Sequence, residues 1–170
     1  ILYERLLRNI SLTDPLEIYH HFHRAGYRHL GLDRLLRHVR ELRQARAAEL
    51  APARALAVCN AERALGLPTW DRAELTRCCW LGGRPEPWTL TFESAYTVTH
   101  TVFHLTDWGL ACADLPPDMD EYLRRWLPAW LEVYGEAGQW DLVGELLIAD
   151  QCLSRPGGHP HIWERLVAAQ

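Results

Sequence analysis

The stretch Thr91–Gly109 reads TFESAYTVTHTVFHLTDWG and decides the fold class. At 3.6 residues per turn, its apolar residues cover two adjoining flanks of one helix. The members of the two flanks are Phe92, Tyr96, Thr99 and Phe103, and Ala95, Val98, Val102 and Leu105. A helix that is apolar over so much of its circumference packs on several sides. The stretch therefore predicts a central, buried helix over residues 90–108.

The helical period continues outward from this stretch in both directions, and no segment of more than a few residues alternates as a strand would. Glycines such as Gly26, Gly66 and Gly138 follow the apolar periods and mark helix ends. We predict an all-α chain with helices near residues 2–10, 15–25, 32–49, 53–65, 71–80, 90–108, 118–134, 140–153 and 160–169. Short links that contain glycine and an aromatic residue predict helical hairpins, packed as a short α/α repeat or as an irregular bundle.

Length and charge set the predicted domain organisation. The chain has 170 residues, which suits one globular domain. Residues 1–80 hold 13 arginines and 9 acidic residues (+4), whereas residues 81–170 hold 5 and 13 (−8), and the two halves add to the net charge of −4. We predict a single all-α domain over residues 1–170, with an Arg-rich half at 1–80 and an acidic, Trp-rich half at 89–170. A Gly/Pro linker at 81–88 joins the halves.

The basic residues exclude several classes of enzyme. All 18 basic residues are arginines, so the chain has no lysine. Schiff-base enzymes, pyridoxal-phosphate enzymes, P-loop hydrolases and protein kinases each need a lysine amine and are therefore excluded. An arginine-rich chain without lysine is typical of GC-rich bacterial genomes, in which small proteins often serve specialised metabolism.

Net charge, hydropathy and cysteine usage predict the compartment and the partners. A net charge of −4 argues against nucleic acid as a partner. No apolar run reaches the roughly 18 residues that a membrane span needs. The 5 cysteines contain no C-x-x-C pair, which favours a reducing compartment. We therefore expect a cytoplasmic protein whose partner is a small-molecule substrate or a protein or peptide, with no nucleic acid and no membrane.

Four ionisable residues lie in one band of the predicted central helix: Glu93, His100, His104 and Asp107. His100 and His104, four residues apart, present two imidazoles to one point, and Asp107 adds a carboxylate. These three residues are candidate ligands of a divalent metal, zinc or iron. In a metal-free site, His100 or His104 would act as the general base, with Asp107 or Glu93 orienting it. A third interpretation is a set of hydrogen-bonded core residues without chemistry.

The aromatic residues next to this band predict a pocket, which we expect to be lined by Tyr96, Phe103, Trp108 and Glu145. On the predicted helix 140–153, Glu145 and Asp150 are candidates to face the two histidines. From the N-terminal half, His20 or His23 could supply a further ligand. The arginines at 34, 37, 40, 43 and 46 recur every third residue and wind around their helix, which predicts a solvated surface.

The residues from Tyr96 to Gly109 carry a resemblance to a known family. Tyr96, Thr99-His100, Phe103, Thr106-Asp107 and Gly109 match the pattern Y-x-x-T-H-x-x-F-x-x-T-D-x-G. The pattern resembles an uncharacterised, all-helical actinobacterial domain of unknown function, over roughly the C-terminal half of the chain. The resemblance implies no activity. It implies that His100 and Asp107 matter more than His104, because the pattern does not require a histidine at that position.

Two functions remain open from the sequence. The first is a small bacterial enzyme, with or without a divalent metal, that acts on an apolar small molecule through His100 and Asp107. The second is a non-catalytic helical-repeat module that binds a peptide or protein partner. An exposed His100 in a cleft would favour the enzyme, whereas a satisfied His100 with an apolar groove elsewhere would favour the binding module.

Overall fold

The computed structural model describes residues 1–169, and over that range it confirms the all-α fold class, since every regular element is helical. The helices are α1 (Leu2–Arg8), α2 (Asp14–Arg24), α3 (Leu30–Glu41), α4 (Arg43–Ala47), α5 (Pro52–Ala64), α6 (Arg72–Cys78), α7 (Trp80–Gly83), α8 (Phe92–Thr106), α9 (Pro117–Glu136), α10 (Trp140–Gln151) and α11 (Pro160–Ala168). Two 3₁₀ turns, η1 (Pro87–Thr89) and η2 (Cys112–Asp114), flank α8. No helix within residues 1–169 is both long enough and apolar enough to cross a bilayer.

Two predicted helices are each divided in the structure. The prediction of one helix over 32–49 is wrong, because Leu42 is extended (φ −68°, ψ 141°) and separates α3 from α4. The predicted helix 71–80 ends at Cys78, and α7 follows as a separate turn. A Cβ on Gly82 would lie 2.1 Å from the carbonyl oxygen of Thr76, so this return of the chain toward α6 requires glycine.

The described residues group into two compact units, residues 1–75 and residues 76 onward, with the boundary inside α6. In the first unit, α2 packs against α5 and α1, and α1 also contacts α3. The buried core of this unit consists of Leu6, Leu16, Tyr19, Leu32, Leu36, Val58, Ala61 and Leu67. That the chain is a single domain remains a prediction.

In the second unit, α10 packs against both α8 and α9, and α11 packs against α9 and α10. Leu123, Leu127 and Leu131 recur every four residues along α9 and are buried, as expected for an amphipathic helix. On α10, Leu142, Leu146 and Leu147 are fully buried. These contacts place α8 and α10 side by side, which positions the predicted site residues of both helices.

The Gly/Pro segment 81–88 is held inside the second unit. The Tyr122 hydroxyl donates a hydrogen bond to the Pro85 carbonyl oxygen at 2.6 Å. The Trp130 indole Nε1 donates to the Pro87 carbonyl oxygen at 3.0 Å. Aromatic donors on α9 thus fix the segment that leads into α8.

Candidate functional site

Capping interactions at both ends define α8. At its N-terminus, the Ser94 amide donates to Thr91 Oγ1 (3.2 Å) and the Thr91 amide donates to Ser94 Oγ (2.8 Å), which forms a capping box. At its C-terminus, Asp107 adopts a left-handed conformation (φ 47°), and the Trp108 amide donates to the Phe103 carbonyl oxygen at 3.0 Å.

The ionisable band of α8 lies at the surface, so the expectation that it is buried is wrong. The His100 side chain is 52% exposed, Glu93 is exposed, and His104 and Asp107 are half-buried. The neighbouring helices α7 and α10 cover other sides of α8, where Ala95, Val98, Val102 and Phe103 are buried. The band therefore carries no burial cost of the kind that would demand a metal or a buried partner for every group.

Two polar contacts join α8 to α10, and we call their residues the α8–α10 seam: Tyr96, Thr99, His100, Asp141 and Glu145. The Tyr96 hydroxyl donates to Asp141 Oδ2 at 2.7 Å. The buried Thr99 hydroxyl donates to Glu145 Oε2 at 2.6 Å, and His100 Nε2 lies 3.5 Å from the same oxygen. The seam thus places an exposed imidazole beside a carboxylate that a buried threonine holds in position.

The environment of Tyr96 fixes its protonation state. The hydrogen bond to Asp141, with smaller contributions from burial and from the charges of Asp141 and Glu145, raises the pKa of Tyr96 to about 12. Tyr96 is therefore a neutral hydrogen-bond donor at physiological pH. The sequence prediction includes Tyr96 as an apolar wall of a pocket, whereas in the structure its hydroxyl is bound to α10.

Glu145 and Asp150 take different positions, although the sequence predicts that both face the histidines. Glu145 lies beside His100, as predicted. Asp150 is buried and accepts hydrogen bonds from the amides of Gly157 and Gly158, each at 3.0 Å, with His159 Nε2 at 3.5 Å. For Asp150 the prediction is wrong, because this carboxylate organises the loop that precedes α11.

The turn after α8 exposes an aromatic surface. Asp107 and Trp108 both have positive φ (47° and 58°), which is uncommon for residues other than glycine. This conformation stacks the Trp108 ring on Phe103 at 4.4 Å between centroids, and Trp108 remains 58% exposed. Phe103 is itself buried, so Trp108 is the solvent-facing member of the predicted pocket residues at this end of α8.

Metal ligation was predicted for His100, His104 and Asp107. The rings of the two histidines lie 6.1 Å apart between centroids and are nearly perpendicular. Among residues 1–169, no three His, Cys, Asp or Glu side chains form a group that could hold a metal ion. The metal site at His100, His104 and Asp107 therefore remains a prediction, because residues 1–169 contain no group of three such ligands around one point.

His20 and His23 contact residues of their own helix, α2. His20 Nδ1 lies 2.5 Å from the Glu17 carbonyl oxygen, and burial followed by the neighbouring His21 lowers the pKa of His20. The ring of His23 packs edge-on against Tyr19. His29 caps α3, because its Nδ1 accepts a hydrogen bond from the Leu32 amide at 3.0 Å.

The arginine series of α3 and α4 includes a buried cluster that the sequence did not reveal. Glu62 is fully buried; Arg40 Nε donates to its Oε1 at 2.6 Å, and Arg46 Nη2 lies 2.5 Å from the same oxygen. Trp70 stacks on Arg46, whose guanidinium carbon lies 4.4 Å from the ring centroid. The prediction of a solvated surface is wrong for Arg40 and Arg46, because the extended Leu42 redirects α4 so that both arginines reach one glutamate.

Two neighbouring clefts lie in the first unit. The aromatic cleft has a volume of about 550 Å³, and α1, α2, α3 and the segment between α2 and α3 form its lining. The lining residues are Ile1, Leu2, Tyr3, Tyr19, Phe22, Tyr27, Arg28, His29 and Leu32. The cationic cleft has a volume of about 370 Å³, and its lining includes His23, Arg28, Asp33, Arg34 and Arg37. Sequence reasoning missed both clefts. The spacing of Tyr19 and Phe22, three residues apart on α2, is a signal that could have indicated the aromatic one.

One hydrogen-bonded group lies at the junction of the two clefts. The Tyr19 hydroxyl donates to Asp33 Oδ1 at 2.6 Å and accepts from the His29 amide at 2.9 Å. Burial and then the bond to Asp33 raise the pKa of Tyr19, so the hydroxyl keeps its proton. Arg28 lines both clefts, and its Nη1 donates to the carbonyl oxygens of His23 (2.6 Å) and Tyr27 (2.9 Å).

A comparison with protein families places the chain. The family model described as "Domain of unknown function (DUF6895)" matches residues 1–170. The chain belongs to the DUF6895 family. The family match covers the whole chain, whereas the sequence resemblance covered roughly the C-terminal half. No curated protein matches the chain, and no solved structure matches it.

Proposed function

We propose that this DUF6895 protein binds a small apolar molecule in the aromatic cleft of its first unit. The observation that carries the proposal is the composition of that cleft: three tyrosines, a phenylalanine, two leucines and an isoleucine line a space of about 550 Å³, together with Arg28 and His29. Small-molecule sites are typically concave, mostly apolar and roughly 300–1,000 Å³ in volume, with a few polar groups that orient the ligand.

Exposure of the aromatic side chains supports the same proposal. Phe22 is 51% exposed and Tyr27 is 68% exposed, and their rings meet edge-on at 6.2 Å between centroids. A ligand that covers apolar side chains removes them from water, which favours binding by about 25 cal/mol for each Å² of apolar surface covered. Tyr19, which is buried, forms a fixed wall behind them.

Binding of the uncharged fluorophore N-phenylnaphthylamine tests the proposal. We expect saturable binding that Phe22→Ala weakens roughly tenfold, a loss of about 1.4 kcal/mol. Ile18→Ala is the matched control, because Ile18 is an exposed residue of α2 outside the cleft lining. Absence of binding by the folded protein would overturn the proposal and favour the alternative, a helical-repeat module that binds a peptide or protein partner.

A second candidate function is an enzyme that acts through the α8–α10 seam. The supporting observation is that Glu145 Oε2 lies 3.5 Å from His100 Nε2 and is held by the Thr99 hydroxyl at 2.6 Å. An imidazole oriented by a carboxylate is suited to take or give a proton. In this version Glu145 orients His100, in place of Asp107 at the C-cap of α8 and Glu93 in its first turn.

The rate of hydrolysis of a p-nitrophenyl ester tests whether the α8–α10 seam is catalytic. We expect His100→Ala to remove a larger share of the rate than His161→Ala does. His161 is a fair control because it is equally accessible (59% exposed) and also lies beside a carboxylate, Glu132, at 2.6 Å. Equal losses from the two substitutions would contradict a catalytic role for His100.

Metal content separates the two versions of the enzyme. The metal version has zinc or iron bound by His100, His104 and Asp107, and it requires near-stoichiometric metal in tag-free protein purified without chelators. His100→Ala must then lose that metal. Absence of metal from both proteins would overturn the metal version.

A further inference from the structure

We infer that the ligand of the aromatic cleft carries an oxyanion, such as a carboxylate or phosphate, and that the neighbouring cationic cleft binds this group. The inference rests on the proposed function and adds the charge of the ligand to it. It follows from three features of the first unit: the junction between the clefts, the charge of the second cleft, and the contrast between its exposed arginines and four arginines that pair with carboxylates.

The junction allows one ligand to reach both clefts. Arg28 lines the aromatic cleft and the cationic cleft alike. The Tyr19–Asp33 hydrogen bond joins their walls, since Tyr19 belongs to the aromatic lining and Asp33 to the cationic lining. An apolar body in the first cleft would therefore hold its polar end near Arg28.

The cationic cleft has an excess of positive charge. Its lining contains three guanidinium groups, Arg28, Arg34 and Arg37, and one carboxylate, Asp33. That carboxylate already accepts the hydrogen bond of Tyr19. A guanidinium group presents paired N–H donors that match the geometry of a carboxylate or phosphate, so such a cleft selects an oxyanion.

Arg34 and Arg37 differ from other arginines of the same unit. Arg5 pairs with Asp14, Arg54 with Glu17, and both Arg40 and Arg46 with Glu62. Within residues 1–169, by contrast, the side chains of Arg34 and Arg37 make no hydrogen bond or ion pair, and both are exposed, three residues apart on α3. Their charge is therefore available to a ligand.

A pair of fluorophores that differ only in a sulfonate group tests the inference. Anilinonaphthalenesulfonate carries the negative charge, and N-phenylnaphthylamine is its uncharged parent. We expect the sulfonate to bind about tenfold more tightly than the parent, and its affinity alone to fall when the ionic strength is raised. The double substitution Arg34→Gln/Arg37→Gln should remove that advantage and leave the affinity of the parent unchanged.

The matched control is Arg43→Gln/Arg63→Gln, which makes the same change in net charge. Arg43 and Arg63 are exposed residues of the first unit and lie outside both linings. Equal affinities for the two fluorophores, or an equal loss in the control, would overturn the inference and leave the proposed function standing. Absence of binding by both fluorophores would overturn the proposed function, and the inference with it. Competition by benzoate and by phenyl phosphate then distinguishes a carboxylate from a phosphate.

Discussion

Each unit contains a glutamate that contacts cationic or titratable side chains, and the two glutamates differ in burial. Glu62 in the first unit is fully buried and is shared by Arg40, which is 6% exposed, and by the half-buried Arg46. Glu145 in the second unit is half-buried and lies beside His100, which is 52% exposed. A ligand therefore cannot reach Glu62, whereas water or a ligand can reach Glu145 and His100.

The difference shows that burial decides whether a charged group stabilises the fold or is accessible to a ligand. Breaking a buried ion pair leaves an uncompensated charge in a medium of low dielectric constant, which is strongly destabilising. Loss of an exposed pair costs little because water replaces the partner. The cost of a polar substitution should therefore follow the burial of the group that it removes.

Among substitutions of polar residues, Glu62→Gln should destabilise the protein most. The substitution keeps the shape of the side chain but leaves Arg40 and Arg46 without their counter-charge, at a cost of about 3 kcal/mol. The free energy of unfolding from urea denaturation measures this loss. Glu41→Gln, an exposed change at the end of α3, is the control, and an equal effect of both substitutions would contradict the structural role of the cluster.

Asp120 of α9 is a buried carboxylate of the second unit, and we expect it to stabilise that unit as Glu62 stabilises the first. It accepts hydrogen bonds from the Ser154 amide (2.8 Å), the Ser154 hydroxyl (2.7 Å) and Arg124 Nε (2.9 Å). Burial alone would raise the pKa of Asp120, but these bonds outweigh it and hold the pKa below its usual value. We expect Asp120→Asn to cost about 2 kcal/mol at neutral pH.

The pH dependence of that loss follows from the direction of the pKa shift. Because the pKa is lower in the folded state, the stabilisation is fully present above the unfolded value, about 3.9, and is lost as the pH falls through the folded value. The difference in unfolding free energy between wild type and Asp120→Asn should therefore shrink as the pH is lowered from about 5. A difference that stays constant as the pH is lowered would contradict the stabilisation of the ionised Asp120 carboxylate. Asp118→Asn, an exposed change on the same helix, is the control.

Thr99→Val should have an intermediate effect. Thr99 is fully buried, and valine preserves its shape while removing the hydrogen bond to Glu145, at a cost of about 1 kcal/mol. A double-mutant cycle with Glu145→Ala isolates the contribution of this contact. Additive effects of the two substitutions would show that the contact does not hold Glu145 in position.

His100→Ala should change the unfolding free energy by less than about 0.5 kcal/mol, because the side chain is mostly in water. Phe103→Ala, on the same helix but 1% exposed, should cost about 3 kcal/mol or more and serves as the reference for a buried position. A loss above about 2 kcal/mol for His100→Ala would mean that the histidine is part of a buried network after all.

The sequence predicted the helices better than it predicted which of their faces are covered. The period of α8 predicted one band of Glu93, His100, His104 and Asp107, but it did not show that Asp107 is the left-handed C-cap of the helix. It also gave no information on the position of α10 and α7 around that helix. For α3 and α4, the arginine spacing predicted one winding helix, and only the extended Leu42 brings Arg40 and Arg46 to Glu62. No glycine or proline marks that break, so local propensity could not reveal it.

By itself, the sequence determined that the chain is helical, because helix formation depends on local hydrogen bonds and on a 3.6-residue apolar period that can be read along the chain. It also determined which residue types are available, including the absence of lysine. Tertiary structure alone decided that His100 faces water, that one glutamate holds two arginines, and that Tyr3, Phe22 and Tyr27 meet in a cleft. Each of these features joins residues from different helices or depends on which helices cover a given face, and that depends on packing contacts between segments far apart in sequence.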